Sequence, residues 1–429
     1  MGDLISLPAQ RRAFRRRRAA ADHRPQAPRA VVFSARVGAG HDAVARELTA
    51  RLSEAGLRVD RHDFLDTLPG PVGRLMLGSY QRMLERAPWT WRLLYSGLEH
   101  GPLLGFQARL CALLAGRRMR KRIPADTAVV VSTYPVASQV LGIMRHREKV
   151  AAPVLTYLTD FSVHSIWTNP HVDGHLAVHQ VPAGQARRNG VEAVTVVSPV
   201  VDRRFTPATP QSRAAARARW GLPQDARLAL LVGGSWGAGD IERTVADIEA
   251  TGTGTTCVVV CGRNEALRHR LLAAGVKHAY GWVDDMPSLM HAADVLVQNA
   301  GGMSVLEAVA SKLPVLTYRS IPGHGLTNAA ALDEAGVARW VRNDAELAEA
   351  LEEAMLPAAR AAARRPEGPA AVRSVVALPG ADPVQAVLDA AGLDRAALAG
   401  PEQSLPDRNT PAEMTTPLPE AAAALESAR

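Results

Sequence analysis

Asp294-Val295-Leu296-Val297, followed after Gln298 by Asn299-Ala300-Gly301-Gly302-Met303-Ser304-Val305-Leu306-Glu307, is the stretch on which the reading of the fold turns. The apolar run has the length and branched composition of a buried parallel strand. The paired glycines let the backbone turn tightly, and Ser304 to Ala310 reads as the start of a helix. A strand, a Gly-Gly turn and a helix N-terminus aim free N–H groups and a positive dipole end at one point, which suits an anion. Glu307 lies one turn inside that helix, placed to accept hydrogen bonds from a neutral diol such as a ribose. Taken alone, the segment also fits an ordinary βα turn with a surface Glu.

Working toward the N-terminus, the same grammar repeats. Ala30 to Ser34 reads as a first strand, ended by Val37-Gly38-Ala39-Gly40-His41, with Val44, Leu48 and Leu52 then at helical spacing. Gly56 stops that helix and Leu57-Arg58-Val59 opens a second strand. Further strands are expected at 128–132, 154–157, 175–178 and 194–197. After the Pro- and Thr-bearing stretch 199–210 the alternation restarts, with strands at 228–232, 256–260, 295–297 and 315–317. Two consecutive β/α series predict an α/β chain of two facing, doubly wound, Rossmann-like domains, with ligands at the carboxyl ends of the strands.

The domain organisation that follows is a basic, disordered tail at 1–28, an N-terminal domain at 29–198, a linker at 199–210 and a C-terminal domain at 211–355. A partly ordered stretch at 356–399, with a short helix at 383–391 packing back, and a disordered tail at 400–429 complete it.

The chain has 429 residues, 47% of them apolar, which is too long for one ordinary core and suits a globular protein of two domains. No apolar run reaches the roughly 18 residues needed to span a bilayer. Arg11, Arg12 and Arg15 to Arg18 are not followed by an apolar stretch, so the N-terminus does not read as a secretory signal. Cys111, Cys257 and Cys261 lie in apolar segments and read as small buried residues of a reducing compartment. The net charge of +8 is carried by Arg, only four residues being Lys. No aromatic-interleaved basic motif supports nucleic acid as a partner, whereas an anionic membrane surface or a phosphorylated substrate fits the charge.

Four further stretches carry candidate chemistry. In Gly38-Ala39-Gly40-His41 the glycines allow close backbone approach, and a His at a helix start is held neutral, as a general base for a hydroxyl should be. A helix-capping His is the structural alternative. In Thr159-Asp160-Phe161-Ser162-Val163-His164-Ser165-Ile166-Trp167, Asp160 and His164 sit at a strand's carboxyl end, where Asp160 orients an imidazole, acts as the base itself, or merely caps a turn. Gly233-Gly234-Ser235-Trp236-Gly237-Ala238-Gly239 is a second phosphate-type loop. Gly281-Trp282-Val283 offers backbone groups to a flat base, and Arg263 is placed to serve a phosphate. Ile321-Pro322-Gly323-His324-Gly325-Leu326-Thr327-Asn328 is a polar loop after the strand at 315–317. His171, His175 and His179 recur every four residues, but on a strand that spacing spreads them over about 26 Å, so no metal site is expected.

Together these residues resemble glycosyltransferase family 28, of the GT-B fold, and within it the monogalactosyldiacylglycerol synthases and processive diacylglycerol glucosyltransferases. The resemblance spans roughly residues 30–345. It rests on Gly38 to His41, the segment Tyr80 to Tyr95 with Ala87-Pro88-Trp89, the Asp160…His164…Trp167 block and Gly301-Gly302…Glu307. It implies that Gly301, Gly302 and Ser304 hold the diphosphate of a UDP-sugar and Glu307 its ribose, and that Asn328, on the donor side, matches the Asn of the family's Gly-Gln-Glu…Asn loop. His324 and Gly325 stand where the family usually has Gln-Glu, so the donor sugar is not named by the pattern.

On the acceptor side, Tyr80, Trp89, Trp91 and Tyr95, with Gly38, Gly40 and Trp167, mark the expected acceptor and membrane contacts. The segment Leu75 to Leu104 interleaves large apolar side chains with Arg74, Arg82, Arg86 and Arg92, which suits an anionic bilayer or, alternatively, the core of a helical hairpin. The expected function is an inverting hexosyltransferase, peripherally bound to the inner face of the cell membrane. It would move a hexose from a UDP-sugar to a lipid such as diacylglycerol, with His41 or Asp160 as base and no cofactor. The alternatives are an enzyme like UDP-N-acetylglucosamine 2-epimerase and a non-catalytic, nucleotide-sensing or membrane-docking member of the same fold.

Overall fold

The computed structural model describes residues 27–86, 97, 102–356 and 378–399. The expected tails at 1–28 and 400–429 fall almost wholly outside these residues, as do Trp89, Trp91 and Tyr95. Tyr80 lies on a described helix, but its side chain is not among the described ones.

Two parallel sheets organise the chain. The first has strands β1 (Arg29–Ser34), β2 (Arg58–Asp63), β3 (Thr127–Ser132), β4 (Val154–Tyr157), β5 (Gly174–Ala177) and β6 (Val194–Val196), in the order β2-β1-β3-β4-β5-β6. The second has β7 (Arg227–Val232), β8 (Thr255–Val260), β9 (His278–Tyr280), β10 (Val295–Gln298), β11 (Val315–Tyr318) and β12 (Arg339–Val341), in the order β12-β11-β10-β7-β8-β9. Every pairing is parallel, so each crossover must return along a face of the sheet, and the central strands become apolar on both sides. In β4 and β10 all four residues are buried. The exposed edges read differently: β2 is Arg-Val-Asp-Arg-His-Asp with no fully buried residue.

The helices that position the site follow directly from strand ends. Helix α1 (Ala39–Glu54) leaves β1 through the first Gly-rich turn and buries Val44, Leu48 and Leu52. After α2 (Val72–Arg86), α3 (Pro102–Lys121), α4 (Pro135–His146) and α5 (Gln180–Arg188), the chain passes to α6 (Pro210–Arg219). Helix α6 is opened by a reciprocal capping box between Thr209 and Ser212. The second half adds α7 (Ile241–Ala250), α8 (Glu265–Ala273), α9 (Met286–Ala292), α10 (Met303–Ala310), α11 (His324–Glu334) and α12 (Leu347–Ala354).

The connection near residue 200 is packed rather than loose, since Val200, Val201 and Phe205 are buried. One continuous apolar cluster runs through them from Ala30, Leu48 and Tyr157 to Leu228, Leu296 and Leu306, joining the two halves. The chain then returns. A bridge between Val197 and Ala381 and the helix α13 (Pro383–Ala390) bring the C-terminal part back to the first sheet, with Val387 and Leu388 fully buried. A last short helix, α14 (Arg395–Ala399), follows. Cys257 and Cys261 share one apolar cluster, and burial pushes their thiols up to about 12 and about 11.

Candidate active site

A cavity of about 880 Å³ opens between the carboxyl ends of the two sheets. Its walls take Gly38, Gly40, His41 and Asp160 from the first half, and Gly234, Ser235, Val283, Gly302, Ser304, Glu307 and His324 from the second. Of the site residues expected from the sequence, these eleven lie on one wall or the other. The two Gly-rich turns meet across the gap. The N–H of Ala39 donates to Ser235 Oγ at 3.0 Å, and a Cβ placed on Gly40 would stand 3.1 Å from Met303 Cγ.

His41 is the third residue of α1, and its ring is fixed from the first sheet. Its Nδ1 lies 3.0 Å from the carbonyl oxygen of Thr133 and 2.8 Å from Thr159 Oγ1. A carbonyl only accepts, so Nδ1 carries the proton and Nε2 is left as the basic nitrogen. Thr133 Oγ1 donates in return to the carbonyl of His41 at 3.0 Å. The ring packs edge-on to Tyr134 at 5.5 Å and tilted against Trp167 at 5.8 Å. Burial lowers its pKa from the ordinary value, against the pull of the Asp160 charge and the Thr133 bond. Asp160 Oδ2 accepts from Trp167 Nε1–H at 2.9 Å, so Asp160 stands near the imidazole without orienting it. His324 feels the same surroundings: burial and the neighbouring His41 lower its pKa, while Asp160 opposes them.

On the opposite wall, Gly301 takes φ +74° where the chain turns out of β10, a conformation glycine adopts without cost. Gln298 completes the turn, its Oε1 accepting from the N–H groups of Ala300 and Gly301, the former at 2.8 Å. That leaves the N–H groups that open α10, at Met303 and Ser304, without intrahelical acceptors and on the cavity side. Glu307 follows one turn in. Burial, reinforced by the negative charge of Asp202, raises its carboxyl to about 7.

Several expected residues have other tasks. Gly301 and Asn328 lie behind the wall, and a Cβ on Gly301 would come 2.5 Å from Asn328 Cβ. Asn328 is fully buried. Its Oδ1 accepts from Ser162 N–H at 2.6 Å and its Nδ2 donates to the carbonyl of Ala300 at 3.0 Å, so it braces the two halves instead of lining the donor cavity. His164 does not line the cavity. Its Nδ1 accepts from Ile166 N–H at 3.1 Å and caps the 3₁₀ turn Ser165–Trp167, a structural task in place of the expected catalytic one. Trp167 is buried behind Asp160 and His41, not at an acceptor surface. Arg263 stacks on Trp282 and Trp236 outside the phosphate turn. His171, His175 and His179 occupy a turn, a strand and a helix cap, and no group of three metal-ligating side chains occurs among the described residues.

The sequence reading missed Thr133 and Thr159, which set the His41 ring, and Gln298, which shapes the turn. It also missed the outer face of α3. Leu103, Phe106, Leu110 and Leu113 recur there at 56, 66, 43 and 79% exposure. Their spacing of three and four, in a helix without a single Asp or Glu, is a signal the sequence does contain.

Two parallel six-stranded sheets, with a His-bearing turn facing a Gly-Gly helix start across the cleft between them, have the GT-B architecture of glycosyltransferases. The family models agree by halves: residues 41–198 match monogalactosyldiacylglycerol (MGDG) synthase, and 228–375 match the glycosyltransferase family 28 C-terminal domain. Each half of the chain is thus similar to glycosyltransferase models, the second to that of family 28.

Among curated relatives, it is 24% identical over 338 residues to a processive diacylglycerol beta-glucosyltransferase of Bacillus cereus strain B4264, covering 75% of this chain and 84% of the relative. The enzyme of the same name from Bacillus cytotoxicus is 23% identical over 333 residues, with the same coverage. Of solved structures, the glycosyltransferase of kitacinnamycin is similar with a TM-score of 0.51 and 15% identity, over 87% of this chain and 98% of that one. Medicago truncatula UGT71G1, complexed with UDP-glucose, is similar with a TM-score of 0.50 and 12% identity, over 85% and 99%.

Proposed function

We propose that the protein transfers a hexose from a UDP-sugar to the hydroxyl of a membrane lipid, diacylglycerol, with inversion at the anomeric carbon. The observation that carries the reading is the facing of His41 and the α10 N-terminus across one cavity. The acceptor oxygen forms its bond to the anomeric carbon as the bond from that carbon to the β-phosphate oxygen breaks. The acceptor proton passes to His41 Nε2, which the Thr133 carbonyl leaves unprotonated. The electron pair leaves with UDP, whose growing charge falls on the free N–H groups and dipole of α10, so the scheme calls for no cofactor. Glu307 accepts from the ribose diol, and backbone groups near Val283 face the base.

Two observations support a lipid acceptor at a membrane. The curated relatives are named for diacylglycerol, and the exposed apolar stripe of α3 is flanked by exposed Arg109, Arg117, Arg118, Arg120 and Lys121. An apolar stripe ringed by cations suits an anionic bilayer, with the protein lying on it. Among the described residues no helix is long and apolar enough to cross a membrane.

The test is a panel of UDP-sugars incubated with the full chain and diacylglycerol liposomes, the extracted lipid being read by mass spectrometry. One UDP-sugar should yield a lipid heavier by a hexose together with free UDP. UDP-sugar binding without any glycolipid, from any donor, would overturn the lipid acceptor.

A further inference from the structure

Arg263 occupies an unusual place for a cation beside a nucleotide cavity. Its guanidinium carbon stands 4.6 Å from the ring centre of Trp282 and 5.7 Å from that of Trp236, within cation–π range of both indoles. Trp282, 45% exposed, lines the cavity beside Val283, and its Nε1–H donates to Asp284 Oδ1 at 2.9 Å. On the other side Trp236 reaches across the cleft, its Nε1–H donating to the carbonyl of Val37 at 3.4 Å. Val37 opens the turn that carries His41.

The loops bearing this stack are locked backbone to backbone. Arg263 N–H donates to the carbonyl of Ser235 at 3.0 Å, and a Cβ on Gly262 would come 2.4 Å from the Gly234 oxygen. Ser235 in turn accepts from Ala39 N–H. A continuous set of contacts therefore runs from the loop after β9, through Arg263 and Trp236, to the turn before α1. It bypasses the diphosphate turn at Gly301 and Gly302.

We infer that Arg263 is a positioning residue: docking of the nucleotide base beside Trp282 orders the Trp282–Arg263–Trp236 stack, which seats the 37–40 turn, and with it His41, over the donor. The inference rests on the UDP-sugar reading above. A guanidinium between two indoles suits the task because its plane stacks on aromatic faces, and a small tilt of one ring is felt by the other. The 37–40 turn is tied to the second half by its hydrogen bonds to Ser235 and Trp236 and by the close approach of Gly40 to Met303.

Hydrogen–deuterium exchange of the full chain, with and without saturating UDP, tests it in wild type, Arg263→Ala and Trp236→Phe. Both side chains lie at the cleft rim, and Trp236→Phe keeps a ring while removing the indole N–H. In wild type, UDP should slow exchange both at 298–307 and at 35–43. In each variant the slowing at 298–307 should persist, while amides at 35–43 exchange about two- to fivefold faster than in UDP-bound wild type, the range expected of an exposed cation–π contact. Equal protection of 35–43 in wild type and variants, or none there in wild type, overturns the coupling alone. Absence of UDP protection at 298–307 in wild type overturns the donor site, and the coupling with it.

Discussion

The indole Nε1–H of Trp167 donates to Asp160 Oδ2 at 2.9 Å, while the same indole packs 5.8 Å from the imidazole of His41. One buried ring therefore sets the distance between the carboxylate and the base. Trp167→Phe keeps the ring and removes the donor, leaving Asp160 free to turn toward the imidazole. Hydrogen bonds to charged groups are worth roughly 1.5–3 kcal/mol, so denaturant unfolding should show a loss of about that size. Transfer should fall as well, and an unchanged kcat with reduced stability would limit the contact to folding.

His41→Ala should lower transfer by about 10²- to 10⁴-fold, the usual worth of a general base, with UDP affinity nearly intact by calorimetry. The pH dependence has a definite sign. Burial depresses the imidazole pKa below the ordinary 6.5, so the neutral, basic form persists into mildly acidic solution. The acid limb of kcat/KM should fall below 6.5 and vanish in the His41→Ala variant. A fully active variant would remove His41 as the base.

Glu307 leads to a prediction about protons. Its carboxyl is raised to about 7 by burial and by Asp202, so near neutral pH a sizeable fraction of the empty protein holds that proton. Hydroxyl donors from a ribose favour the ionised form, so UDP binding at pH 7 should release a proton. Binding enthalpies measured in buffers of different ionisation heat will show it. Glu307→Gln should bind UDP more weakly and release none. The same shift costs the wild-type fold stability as pH rises from the unfolded carboxyl range through 7. The Gln variant should lack that loss.

How far the sequence reached can be judged residue by residue. Apolar runs such as Leu228 to Val232 announced central strands because both faces of a parallel strand are buried. The edge strand β12 is three residues long and pairs on one side only, so its pattern, Arg-Trp-Val, carried no such signal. Cavity residues next to glycine turns were legible because the turn chemistry is local. Asn328 was not: its partner Ser162 lies 166 residues away, and only the folded chain shows that its side chain points at a backbone and not at the cavity. Arg263 misled for the same reason, since the two indoles within its cation–π range come from separate loops.

The outer face of α3 gives the last prediction. Phe106 and Leu113 are 66 and 79% exposed, so replacing either by Asp removes little internal contact and should leave the melting temperature within a few degrees. On a bilayer each would bury its side chain, worth roughly 1.5–3 kcal/mol, and the carboxylate would add repulsion from anionic lipid. Co-sedimentation with vesicles containing phosphatidylglycerol should therefore weaken by about ten- to a hundredfold per substitution. Binding of the wild type should also weaken as salt rises, because the Arg and Lys flank is screened within about 10 Å at 0.1 M. If Phe106→Asp binds vesicles as wild type does but shifts the protein from dimer to monomer in sedimentation velocity, the face joins two copies of the chain and the membrane must meet another surface.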